Sequence, residues 1–148
     1  KSKDLLEDRI KELMVEYSIL EKNVVYDKVG AGLFLQKHFP KAYGFSANGK
    51  VIGKDPYEHL KTQCHHRLAE YINDGSIKIH DAGRHKEDIV TECMQLIIVP
   101  QELIGGKIKM ITKKEVKINI GHSPDYIDSL SMRMVFTFKN KYSSRVFV

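Results

Sequence analysis

The sequence predicts an α/β fold, a mixed central sheet flanked by helices. Three observations predict it. Short runs rich in β-branched residues alternate with stretches of helical periodicity. Gly, Pro and Asp-Gly signals separate them. The 148 residues suffice for one hydrophobic core, placed here in residues 1–140, with 141–148 as a tail.

Residues 4–20 carry apolar side chains at Leu6, Ile10, Leu13, Tyr17 and Leu20, a helical stripe with acids and lysines opposite. KNVVY (22–26) reads as a strand with Asp27 at its end. VGAG forms a turn, 33–39 a short helix stopped by Pro40, and 42–46 a second strand. The Gly- and Lys-rich segment 47–55 reads as an exposed, mobile loop. Pro56, capped by Asp55, opens a helix to about Asn73, with Leu60, Cys64, Leu68 and Ile72 on one face. Asp74-Gly75 is a turn, 76–80 a strand, and 86–99 a helix ended by Pro100. Segments 107–111 and 115–120 read as strands joined by a lysine turn. Ser123 then caps a last helix running to about Lys139.

Composition narrows the function classes. Apolar residues at 42% and charged residues at 29% suit a globular chain, and the longest apolar runs are too short to span a bilayer. Lys and Arg number 24 against 19 Asp and Glu, a formal charge of +5 that suits a polyanionic partner. Cys64 and Cys93 form no CxxC pair and read as reduced thiols. The seven histidines, among them His65-His66, His80, His85 and His122, show no zinc spacing. With no GxxxxGK[ST] and no GxGxxG after a strand, a nucleotide-hydrolysing motor or dinucleotide enzyme gets no support, and no ATP site is expected in this chain.

Three aspartates stand where chemistry is expected. Asp27 lies at the carboxyl end of a strand, where ligands collect in open α/β sheets, though an Asp there also opens turns by accepting from nearby amides. Asp125 and Asp128, at i and i+3, share a face in the first turns of the last helix. Helix-end electrostatics account for Asp125. Asp128 sits beside Ile127 and Leu130, near the buried stripe, where an acid needs a partner such as a divalent cation. Lys107, Lys109, Lys113, Lys114 and Lys117 run into this turn, and Lys50, Lys54 and Lys61 supply a second basic group. Either set is a solvated face or a contact for the DNA backbone, with no interleaved aromatics for base stacking.

The ordered phrases DKVGAG, LAEYINDGSIKI and GHSPDYIDSL, similar to G-x-S-P-D-x-x-D-A-L, resemble the C-terminal nuclease domain of the large terminase subunit of tailed bacteriophages over residues 5–138. The resemblance implies a ribonuclease H-like fold and a Mg²⁺- or Mn²⁺-dependent endonuclease that cuts concatemeric double-stranded viral DNA in the host bacterial cytoplasm. It implies metal ligation by Asp27 and Asp128 with support from Asp125. Lys113, Lys114, Lys117, Lys50 and Lys54 would contact the DNA backbone. An upstream ATPase domain, a portal and a small terminase subunit would be partners of the whole protein. Ser129 stands in place of the family's alanine. The family's opening strands and their acid have no counterpart before Leu5, so the chain reads as a partial, N-terminally truncated domain expected to hold metal weakly and cut poorly by itself. A non-catalytic α/β DNA-binding or assembly module and a resolvase- or integrase-like nuclease are the competing expectations.

Overall fold

The computed structural model describes residues 2–79, 82–97, 106–139 and 146–147. The chain is α/β and forms two compact units, Lys1–Ala47 and Asn48–Val148.

Unit 1 opens with α1 (Ser2–Glu16), followed by β1 (Val25–Asp27), α2 (Leu35–His38) and β2 (Tyr43–Phe45). Helix α1 stops short of the expected Leu20. Ser18 takes φ +53°, while Ser18 N donates to Val15 O and Ile19 N to Met14 O, a left-handed closure that consumes the last carbonyls. Its buried side is also narrower than the periodicity suggests. Ile10 and Met14 pack on Tyr26, Leu35 and Phe39, whereas Leu6, Tyr17 and Leu20 stay exposed. The expected strand at 22–26 shifts, because Glu21–Asn23 turns as a 3₁₀ helix and extended backbone begins at Val25. Strands β1 and β2 pair in parallel, with Tyr26 opposite Gly44 and Asp27 opposite Phe45. A helical crossover between them suits parallel pairing.

Unit 2 holds α3 (Leu60–Asn73), β3 (Ile77–Lys78), α4 (Lys86–Cys93), α5 (Lys113–Ile120), α6 (Asp125–Arg133), α7 (Val135–Lys139) and β4 (Val146–Phe147). Leu60, Cys64 and Leu68, at i+4 spacing on α3, are buried with Ile127 and Leu130 of α6 and with Met134, Val135 and Phe136. Helices α3 and α4 both pack on α6. Each fully buried aliphatic side chain contributes about 1.5–3 kcal/mol, so this apolar block fixes where α6 lies.

Several expectations are corrected here. The single mixed sheet is replaced, among the described residues, by two separate two-stranded parallel pairs, β1–β2 and β3–β4, and a parallel bridge from Tyr57 to Ile108. Residues 115–120 are not a strand but most of α5. Thr112 Oγ1 accepts from Glu115 N, Glu115 Oε2 accepts from Thr112 N, and Gly121 at φ +82° closes the far end. That reciprocal cap outweighs the apolar alternation, which leaves Val116 buried but Ile118 71% exposed.

Helix α3 starts at Leu60 and not at Pro56; Asp55 accepts from Gln63 Nε2 instead of capping. Helix α4 ends at Cys93, where Gln95 N bonds to Glu92 O and Leu96 N to Cys93 O, tightening the chain out of α geometry. The expected final helix breaks at Met134. Ser131 Oγ bonds back to Asp128 O and Thr137 Oγ1 to Met134 O, the kind of side-chain bonding that bends helices. His80, Val99, Pro100 and residues 141–145 and 148 of the expected tail lie outside the described residues; Val146 and Phe147 pair with β3. Among the described residues no helix is long and apolar enough to cross a membrane.

Candidate functional site

The site is the first turns of α6 and what faces them. Ser123, expected to cap this helix, does so only through its backbone: its carbonyl accepts from Asp125 N at 3.0 Å, and no side-chain cap bond forms at Pro124. The cap comes from another element. Glu92 of α4, 1% exposed, accepts from Ile127 N with Oε2 at 2.9 Å. A buried carboxylate on a helix N-terminal amide satisfies an orphan donor and complements the dipole. His122 Nδ1 stands 3.7 Å from the other Glu92 oxygen.

With α6 so held, Asp128 turns inward and Asp125 does not. The Asp125 side chain is 79% exposed and lies 3.9 Å from Lys113 Nζ. Asp128 lines a cavity of about 20 Å³ with Lys61, His65, Lys113 and Ile127, among others. Lys61 Nζ approaches its Oδ1 to 2.7 Å and Lys113 Nζ its Oδ2 to 2.9 Å. His65 Nε2 is 3.7 Å from Oδ1, beyond hydrogen-bond reach. Both His65 Nε2 and Asp128 Oδ1 are buried without an aligned hydrogen-bond partner, so the Lys61 contact to Oδ1 is an ion pair with poor direction.

Burial acts to raise the Asp128 pKa. His65 and the two lysines overcome that effect and hold the carboxyl well below the usual carboxylate range. At these distances the ammoniums are the stronger partners. Burial pushes the His65 imidazole down, only partly opposed by Asp128, so it is neutral near pH 7.

A stability consequence follows from the sign of the Asp128 shift. A carboxyl whose folded pKa is depressed contributes its stability above the unfolded value of about 3.9, and that contribution is lost as pH falls through the folded value. Wild-type stability is therefore expected to fall more steeply than that of Asp128→Asn as the pH drops below about 4, measured by urea unfolding across a pH series.

The remaining site residues are distributed as follows. Lys113 and Lys114, expected in a turn, and Lys117, expected on a strand, all project from α5, and Lys114 and Lys117 are exposed. Lys109 pairs with Glu58 at 3.1 Å, next to the Tyr57–Ile108 bridge. Lys50 and Lys54 are exposed, but their loop is tied down: buried Gln63 bonds to both the N–H and the carbonyl of Ile52. Asp27 belongs to unit 1, whereas Asp125 and Asp128 belong to unit 2. The Asp27 carboxylate is exposed and accepts from Val29 N at 3.0 Å, the turn-opening geometry open to an Asp in that position.

Among the described residues no group of three or more His, Cys, Asp and Glu side chains is placed to hold a metal ion. At Asp128 ammoniums sit at both carboxylate oxygens, and the other buried carboxylate described in unit 2, Glu92, is spent on the Ile127 amide. An octahedral Mg²⁺ needs several oxygen ligands and would have to displace both lysines, so these residues do not by themselves fit that ion.

Sequence reasoning missed Glu92, His65 and Gln63. Glu92 and Gln63 had one available signal, a polar residue within a helical stretch beside apolar positions, but nothing local named their partners. Comparison with family models, with curated proteins and with solved structures finds no match to this chain.

Proposed function

We propose that unit 2 is a non-catalytic α/β module that binds the phosphate backbone of double-stranded DNA without reading its sequence. The observation that carries this reading is the Lys61–Asp128–Lys113 cluster, in which two ammoniums share one ionised carboxylate. Asp125, 3.9 Å from Lys113, balances the remaining charge there, so the positive surplus of this face comes from Lys114 and Lys117. Lys113 keeps half its side chain exposed, and Lys114 and Lys117 extend the basic surface along α5. Asp128 acts as a brace: it fixes two flexible lysines at one place and lowers the entropy lost when they meet phosphates.

Removing the brace's charge takes away the one carboxylate that both lysines share. Asp128→Asn gives up that pre-ordering but also removes a negative charge that incoming phosphates meet. With the charge as the larger effect, it is expected to tighten binding to short duplex DNA about threefold at low salt, whereas Lys113→Ala loosens it and lowers the salt slope by about 0.9. Fluorescence anisotropy across a salt series reads both effects. Salt-independent binding, or none, would sink the proposal.

A second reading is favoured by the buried Asp128 Oδ1, which has no aligned donor and stands beside the GHSPDYIDSL phrase. In it the chain is part of a ribonuclease H-like, Mg²⁺- or Mn²⁺-dependent terminase endonuclease acting on concatemeric viral DNA. Asp27 and Asp128 would be ligands and Asp125 an auxiliary, completed by an acid from elsewhere in a longer parent that also has its ATPase domain, portal and small-subunit partners. The two readings part on metal. In the second, Mn²⁺ moves the Asp27 and Asp128 amide resonances and Asp128→Asn abolishes cutting by the parent. In the first, Mn²⁺ moves neither resonance and Asp128→Asn leaves any cutting by the parent unchanged.

A further inference from the structure

We infer that Gln63 is a positioning residue for DNA-backbone contact, holding in one shape the loop between Gly49 and Asp55 that carries the exposed Lys50 and Lys54. The inference rests on the DNA-binding reading above.

A primary amide has two donor hydrogens and an acceptor oxygen. Gln63, 1% exposed, uses all of them on this loop. Its Oε1 accepts from Ile52 N at 2.8 Å, and its Nε2 donates to Ile52 O at 2.8 Å and to Asp55 Oδ2 at 2.9 Å. The first two bonds pair one side chain with one backbone unit in both directions, as a neighbouring strand would. At the loop's other end Leu60 N, in the first turn of α3, donates to Gly49 O at 2.9 Å. Gly53, at φ +86°, reverses the chain between Ile52 and Lys54, a conformation that side chains with a Cβ rarely adopt.

Energetics turn these bonds into a shape constraint. Any other loop conformation leaves a buried amide unpaired, and an unpaired buried polar group is costly. The loop is therefore exposed at its lysines and fixed at its centre. The same two turns of α3 carry Lys61 and His65, which face Asp128. One short helical segment thus holds a basic loop with Gln63 and a basic cluster with Lys61. The bonds stabilise the loop as they would any connection, and they also fix the backbone on either side of which the exposed Lys50 and Lys54 stand. Holding them before the partner arrives removes an ordering cost from binding.

The test measures the salt dependence of binding of the full chain to short duplex DNA. Lys50→Ala combined with Lys54→Ala is expected to lower the slope by about 1.8, that is about 0.9 for each phosphate contact. Gln63→Ala is expected to weaken binding several-fold and lower the slope similarly, and adding the two lysine changes to it should cost nothing more. Gln63→Glu keeps an acceptor for Ile52 N, loses both donors and opposes Asp55, so it should bind like Gln63→Ala. Hydrogen exchange at Ile52 in the free protein should accelerate about tenfold or more in Gln63→Ala, which removes its acceptor, and less in Gln63→Glu, which keeps one. Should Gln63→Ala fail to fold, Asp55→Ala, at an exposed position, removes one of the three bonds and should give an intermediate slope. A wild-type chain that binds DNA while the Gln63 and Asp55 variants keep its slope overturns the inference. A wild-type chain that binds no DNA overturns the reading beneath it.

Discussion

Glu92→Ala is expected to destabilise unit 2 by about 3 kcal/mol, because it removes a charged acceptor from a buried backbone amide and leaves that N–H unpaired. The substituted carboxylate is almost wholly enclosed and bonds to Ile127 N across 35 residues of sequence. Its loss also opens a cavity between α4 and α6. Glu92→Gln retains an acceptor of nearly the same shape and should cost about 1 kcal/mol. The contrast between the two separates capping from simple space filling, and urea unfolding followed by circular dichroism reads it. Since Glu92 sets the entry of α6, Glu92→Ala should also loosen the Asp128 cluster, seen as faster hydrogen exchange at Asp128. Equal losses for Ala and Gln would show that the acceptor contributes nothing.

Gly32→Ala is expected to be as damaging in unit 1, costing about 3–5 kcal/mol. The 3₁₀ turn Gly30–Phe34 folds back onto the end of β1, and a Cβ at position 32 would overlap the backbone carbonyl oxygen of Asp27. Backbone cannot yield as the tip of a long side chain can, so β1 or the turn must move. Gly30, in the same motif, shows the other use of glycine: there is open space around it but φ is +62°, so Ala at that position meets only backbone strain of about 1–2 kcal/mol. Hydrogen exchange of Tyr26–Phe45 amides in the two variants should rank them in that order. If Gly32→Ala exchanges like wild type, the close approach of turn and strand is wrong. The DKVGAG phrase thus has a packing explanation in the last glycine and a conformational one in the first, independent of any catalytic role for Asp27.

Much of the architecture was legible because its signals are local. The β-branched run VVY, the Asp-Gly turn and the i+4 apolar spacing of Leu60, Cys64 and Leu68 each act within a few residues, and each gave an element close to the expected place. The capping box TKKE was equally local but lost, in reading, to the alternation of Val116, Ile118 and Ile120. Periodicity over so few residues does not separate a strand from a short helix, whereas a reciprocal cap closed by a left-handed glycine does.

By itself the sequence determined the α/β class, the basic character, the placement of Asp125 and Asp128 on one helix, and the need of Asp128 for a partner. Only tertiary structure decided who that partner is. Lys61 reaches it from another helix, and Lys113 from an element 15 residues away. It also gave α6 its cap from Glu92, held the lysine loop with Gln63, and set Asp27 in a different unit from Asp128. The reason is physical. Turns, caps and helix faces are fixed by torsions and neighbours a few positions apart, while the pairing of a buried charge depends on which distant side chains the packing of apolar faces happens to bring within a few ångströms.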